Sequence, residues 1–272
     1  MKFRIYQPFF DQSHLAGLDQ EFEHVDHMDN PAPTLREHPI NLKCYDRAVA
    51  EGLDVWGMFS WKWRQKLPSL TAQAVLDYVA DNPDYDIYFF NPFTEQEVYC
   101  YNVWEQGQWC HPAILEICEE LFPAIGLDPE LLYQPMACDT MCWANYYMGN
   151  KTFWDEWLAL INRYIKTLPQ LSPRVQALHE SSANYGLDGN LNYFAFIHER
   201  LFSTYLLANK HRFRIKAYHH GWQNLGKDAN IMRNLKLQAI EHHSKSMLEE
   251  WNRLRTPLVG GRNWGSEWIA KY

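Results

Sequence analysis

The sequence predicts an α/β fold: a mixed sheet flanked by helices, with a helical C-terminal extension. Short apolar runs of strand length alternate with amphipathic stretches, as a layered α/β domain requires. One of these runs, Ile87 to Phe90, is apolar throughout, which suits a central strand covered on both faces. The last fifty residues carry helical periodicity.

Taken in order, KFRIYQPFF opens as a strand with Ile5 and Phe9 on one face, and the turn formers Asp11, Gln12 and Ser13 end it. Residues 19–39 are rich in Asp, His, Asn and Pro and read as a long loop. A helix is predicted from Asn41 to Glu51, with Gly52 as its stop. A buried strand follows from Asp54 to Ser60 and leads directly into the basic segment WKWRQK. Thr71 begins a second helix, with Ala74, Val75, Tyr78 and Val79 at helical spacing, which ends before Asn82-Pro83. Pro112 sits in the first turn of another, running to about Ala124 and stopping at Gly126. Met141 to Gly149 reads as extended, and Thr152 as the cap of the helix FWDEWLALINRYIKTL. A polar connection over 169–190 precedes a helix from Asn192 to Asn209, a short strand within FRIKAYHH, and one long helix from Asp228 to Arg255. The expected division is a main domain over 1–218 and a helical extension over 219–272 packed on it.

At 272 residues, 47% of them apolar, the chain can bury a sizeable core. The formal charge of −8 speaks against a nucleic-acid footprint. The six cysteines include no C-x-x-C pair, so reduced, mostly buried thiols are expected. Cys138 and Cys142 lack a nearby histidine to complete a zinc set. The start MKFRIYQPFF is too polar for a signal peptide and no apolar run reaches membrane-spanning length. A cytoplasmic location is expected, with peripheral contact at the inner membrane face left open.

The successive stretches IYQPFFD, WGMFSWKWRQK, DIYFFNPF, NYYMGNKTFWDEW and HERLFSTYL resemble bacterial glycosyltransferase-like proteins of capsule and lipopolysaccharide biosynthesis clusters, across residues 2–218. That resemblance implies a GT-A type fold. It also implies a nucleoside diphosphate-sugar donor, UDP-hexose first among them, bound at the carboxyl ends of the strands, and a glycan or lipid-linked acceptor. The alternative is a catalytically silent protein that keeps the fold and binds a saccharide or a partner.

In most such enzymes an Asp-x-Asp pair just after the apolar strand holds Mg²⁺ or Mn²⁺ on the diphosphate. Here Asp84 and Asp86 precede Ile87–Phe90, at the opposite edge, and Asn91 occupies the place after the strand. An amide is a poor ligand for a hard cation. Side-chain cations, Lys62 and Arg64 with Ser60 assisting, are therefore expected to stabilise the diphosphate, and no metal site is predicted. Tyr6 and Gln7, at the end of the first strand, are candidates for the base and ribose, and Asn145 for the sugar or acceptor pocket. His220 and Lys227, within HHGWQNLGK, are candidate phosphate contacts. Asp139 is a candidate general base, Glu199 a candidate catalytic carboxylate beside Arg200, and the loop over 184–190 a candidate acceptor-recognising segment.

Overall fold

The computed structural model describes residues 1–183, 191–221, 225–260 and 265–272. The chain forms two compact units, each built from three separated segments. One comprises Met1–Pro92, Ala144–Arg163 and Asn209–Tyr218; the other comprises Phe93–Trp143, Tyr164–Ala208 and His219–Tyr272. The division expected after residue 218 is thus one of several crossings between the units.

The first unit is organised by strand alternation. It holds a six-stranded sheet made of β1 (Phe3–Phe9), β2 (Glu23–Asp26), β3 (Val55–Met58), β4 (Ile87–Asn91), β5 (Tyr147–Asn150) and β6 (Ile215–His219). The spatial order is β2-β1-β3-β5-β4-β6. β1 runs parallel to both β2 and β3, while β5 lies antiparallel between β3 and β4. Ile5, Val55, Tyr88 and Phe90 belong to one core cluster, which also takes in Val75 and Val79 of α3 (Ala72–Ala80). Their sequence neighbours serve the opposite face. There Tyr6 meets Arg47 of α1 (His38–Glu51), and Trp56 stacks on Trp154 of α7 (Lys151–Thr167) at 6.2 Å between ring centroids. Trp154 also donates its indole N–H to the Trp56 carbonyl at 2.9 Å. At Gly57 a Cβ would stand 2.9 Å from the Cα of Met148 and closer still to the Tyr147 carbonyl, so only glycine lets β5 approach β3.

Most expected elements appear. Gly52 ends α1 in the left-handed region at φ 63°, and the Thr71 hydroxyl caps α3 through the Ala74 N–H at 3.1 Å. Three details differ. The loop expected over 19–39 contains β2, a parallel edge strand whose only buried residue is Val25, too weak a pattern to register. Within Met141–Gly149 only the last three residues join a strand, β5. The cap of α7 is the Asn150 side chain, which accepts from Phe153 N–H at 3.0 Å, rather than Thr152.

The second unit is helical. Besides α2 (Trp63–Lys66) in the first unit, the remaining helices are α4 (Thr94–Tyr99), α5 (Val103–Cys110), α6 (Ile114–Ala124), α8 (Pro173–Glu180), α9 (Tyr193–Asn209), α10 (Lys227–Glu241), α11 (Lys245–Arg255) and α12 (Gly265–Lys271). The long helix expected over 228–255 is broken into α10 and α11. His243 turns to φ 48°, and the Ser244 hydroxyl accepts from Met247 N–H to restart the chain. Trp104, Ile117, Leu121, Phe122, Leu201 and Trp251 are fully buried here. No helix among the described residues is long and apolar enough to cross a membrane.

Candidate functional site

In the first unit the carboxyl ends of β3 and β4 meet the segment that enters β5. Because β5 is antiparallel, with Tyr147 opposite both Met58 and Phe89, the residues just before it stand at that same edge. Phe90 N–H donates to the Tyr146 carbonyl and Phe59 N–H to the Tyr6 carbonyl, each at 2.9 Å. Ser60 Oγ lies 3.4 Å from Tyr146 Oη, and Lys66 Nζ lies 5.9 Å from the centre of the Tyr146 ring. Asn91 is fully buried. The Asn145 side-chain oxygen is buried without a hydrogen-bond partner among the described residues, an arrangement that costs free energy unless a ligand or water supplies a donor. The structure therefore brings Ser60 to Tyr146, next to Asn145, and adds Lys66 to the expected set.

Arg64 has a different task. Its guanidinium is held by the buried carboxylate of Asp19, with Nε 2.7 Å from Oδ1. That carboxylate also accepts from the Trp63 indole at 2.7 Å and from the Gln7 amide at 3.3 Å. Asp19 N–H returns a bond to Gln7 Oε1 at 2.7 Å. Gln7 and Arg64, expected at the donor, are thus bound into an internal knot around an acidic residue read as loop. Tyr6 lies in the α1-facing layer, fully buried, with Arg47 5.7 Å from its ring centre; burial pushes its phenol up to about 12. A ring so enclosed packs rather than stacks on a base. Lys62 is exposed, 5.7 Å from the ring centre of Trp61, and Trp61 in turn stacks on His14 at 3.9 Å.

At the amino edge, Asp86 accepts from the Arg214 N–H at 2.8 Å and from the Asn150 amide at 3.0 Å, and Arg214 Nε stands 3.6 Å away. It fastens the start of β4, as its position before the strand implied.

The other four candidates belong to the second unit. Glu199 and Arg200 lie on α9, but Arg200 is buried and turns to α5. It donates to Val103 O and Phe196 O at 3.0 Å each and to Gln106 Oε1 at 2.5 Å, which fits a structural post better than the orienter of a catalytic acid. Lys227 opens α10 and is exposed. The His220 carbonyl accepts from Thr94 Oγ1 at 2.8 Å, and the His220 Nδ1 is buried without a hydrogen-bond partner among the described residues. Asp139 is exposed beside Cys138. The segment 184–190 lies outside the described residues.

The neighbours of those last candidates form a cluster that the sequence reading did not find. Glu97, Cys138 and His219 bring one ligand-type atom each within 4.8 Å of the others. His219 Nδ1 is 2.8 Å from Glu97 Oε1, and Arg233 Nε is 3.8 Å from Glu97 Oε2. These residues are far apart in sequence, so no local spacing announces them.

Comparison with known proteins finds no matching family model, no matching curated protein and no matching solved structure.

Proposed function

We propose that the chain is a glycosyltransferase of GT-A type that moves a sugar from a nucleoside diphosphate-sugar, UDP-hexose first among them, to a glycan or lipid-linked acceptor. The observation that carries this reading is the gathering of Ser60, Lys66, Tyr146 and the unpartnered Asn145 oxygen beside the carboxyl ends of β3 and β4. Open α/β sheets bind their ligands at that edge. A mixed sheet with β5 antiparallel between β3 and β4 is compatible with the class.

Chemically, the leaving diphosphate gains negative charge as the glycosidic bond breaks, and fixed cations lower that barrier. With Arg64 held by Asp19, this task falls to Lys62 and Lys66. Asn145 offers an acceptor for a sugar hydroxyl, and Ser60 a donor for a phosphate oxygen. Asp84 and Asp86 take no part in this proposal.

Calorimetry with UDP and UDP-glucose, with and without Mn²⁺, tests it. Saturable binding under at least one condition and slow release of UDP from the sugar nucleotide are expected. Lys66→Ala should weaken UDP binding by about 1–3 kcal/mol, the scale of a charge-assisted contact. Absence of nucleotide binding under both conditions overturns the donor site, and glycan binding without it favours a saccharide-binding module.

A further inference from the structure

We propose that Glu97, Cys138 and His219 form a site for a borderline-soft divalent cation, Zn²⁺ above the others. The inference does not rest on the transferase reading, and its test does not use turnover.

A carboxylate, a thiol and an imidazole on one centre are the ligand types that zinc accepts, and three protein ligands leave a fourth position open. Magnesium and calcium, which demand all-oxygen shells, are poor matches for a set with one sulfur. The three ligand atoms already lie within 4.8 Å of one another, so a small contraction brings all of them onto a single ion.

Two of the ligands, Glu97 and His219, are held from behind. The Lys236 ammonium donates to the Glu97 carbonyl at 3.1 Å and the Cys100 carbonyl at 2.6 Å, fixing the backbone of α4 that carries Glu97. Arg233 stands 3.8 Å from Glu97 Oε2, which leaves Oε1, the oxygen facing His219, to point at the ion. Thr94, in the first turn of α4, holds the carbonyl next to His219 at 2.8 Å. Partners of this kind orient metal ligands and tune them. Arg233 and Lys236 add positive charge nearby. The balance holds because Cys138 binds as thiolate: one proton goes to solvent, and thiolate plus carboxylate cancel the ion's two charges.

The experiment is a titration of the metal-free full-length chain with Co²⁺, followed by competition with Zn²⁺. A thiolate-to-cobalt absorption band in the near-ultraviolet should saturate at about one equivalent per chain and disappear on adding Zn²⁺. Cys138→Ser should abolish the band and Cys142→Ser should keep it. Alkylation mapped by mass spectrometry gives the same answer without a variant: Zn²⁺ should protect Cys138 but leave the exposed Cys110 reactive. No band, a band that survives Cys138→Ser, or alkylation of Cys138 unchanged by Zn²⁺ overturns the proposal, and the cluster is then a buried ion-pair group only.

Discussion

Asp19 is 7% exposed, yet its carboxylate serves three side-chain donors, from Gln7, Trp63 and Arg64. Replacing it with alanine strands the Trp63 indole and the Gln7 amide in the interior. Asp19→Ala should therefore cost about 2–3 kcal/mol, read as a lower urea midpoint at unchanged slope. Arg64→Ala should cost less, because the Arg64 side chain is about half exposed and the other two donors remain. Equal losses in the two variants would mean that the ion pair, not the buried donors, sets the stability. The knot also shows why the candidate site was only partly legible. Lys62, Arg64 and Ser60 could be read as sitting after a strand, because Val55–Met58 announces itself. That Arg64 has a buried acid as its partner could not, because Asp19 lies in a polar segment whose fold depends on β2, a strand with one buried side chain. Glu97, Cys138 and His219 escaped for a related reason: only tertiary structure brings α4, a turn and the end of β6 together.

The helices of the second unit are tied by buried polar bonds rather than by apolar packing alone. Arg255, at the end of α11, is fully buried and pairs with the equally buried Glu105 of α5 through two 2.6 Å bonds. It also donates to Tyr99 O at the end of α4, while Trp251 one turn earlier donates to Val98 O at 3.0 Å. Removing one member of such a pair leaves an uncompensated charge. Arg255→Met should cost about 3–5 kcal/mol, and the double variant Glu105→Leu, Arg255→Met should recover part of that loss in thermal or urea unfolding. A double variant as damaged as the single one would refute the explanation by stranded charge. These elements were unevenly foreseen. Helices with a clear cap and a regular apolar stripe, such as α3 from Thr71, were readable. α4 and α5 were not, since Glu97 and Glu105 put polar groups on their buried faces. The break between α10 and α11 falls at His242-His243, a pair that carries no Gly or Pro to mark it.

Over the whole molecule, burial sets how stability responds to pH. His111 and His179 are each held down to about 4 by burial; His111 Nδ1 faces Ala183 O and His179 Nε2 faces Tyr164 Oη. Between pH 6.5 and 4 the unfolded chain protonates these rings while the folded one does not. The unfolded state then binds more protons, so stability rises with pH across this window and is lost as acid is added. On the alkaline side, burial pushes the Cys44 thiol up to about 12 and raises those of Cys100 and Cys118 as well. Unfolded thiols ionise near pH 8.5, so above it the unfolded state binds fewer protons and stability falls. Lys236, held down to about 8 by burial, acts in the opposite sense between there and the ordinary lysine value, but it is one group against three. The urea midpoint should accordingly peak near neutrality to pH 8 and decline on both sides. A midpoint that stayed level between pH 6.5 and 4.5 would show that the two histidines are protonated in the folded state.

The position of β5 has a further consequence for the way the chain is born. This strand lies between β3 and β4 in the sheet, yet it comes after the first long segment of the second unit in the chain. A ribosome adding about 5–20 residues per second needs several seconds to travel from the end of β4 to Tyr147. For that interval the nascent polypeptide carries two hydrophobic strands short of partners: Val55–Met58 waits for β5 on one flank, and Ile87–Asn91 waits for β5 and β6 on its two flanks. Translation speed over that stretch, and whatever shields the growing chain meanwhile, therefore bear directly on how much of the protein reaches its native state.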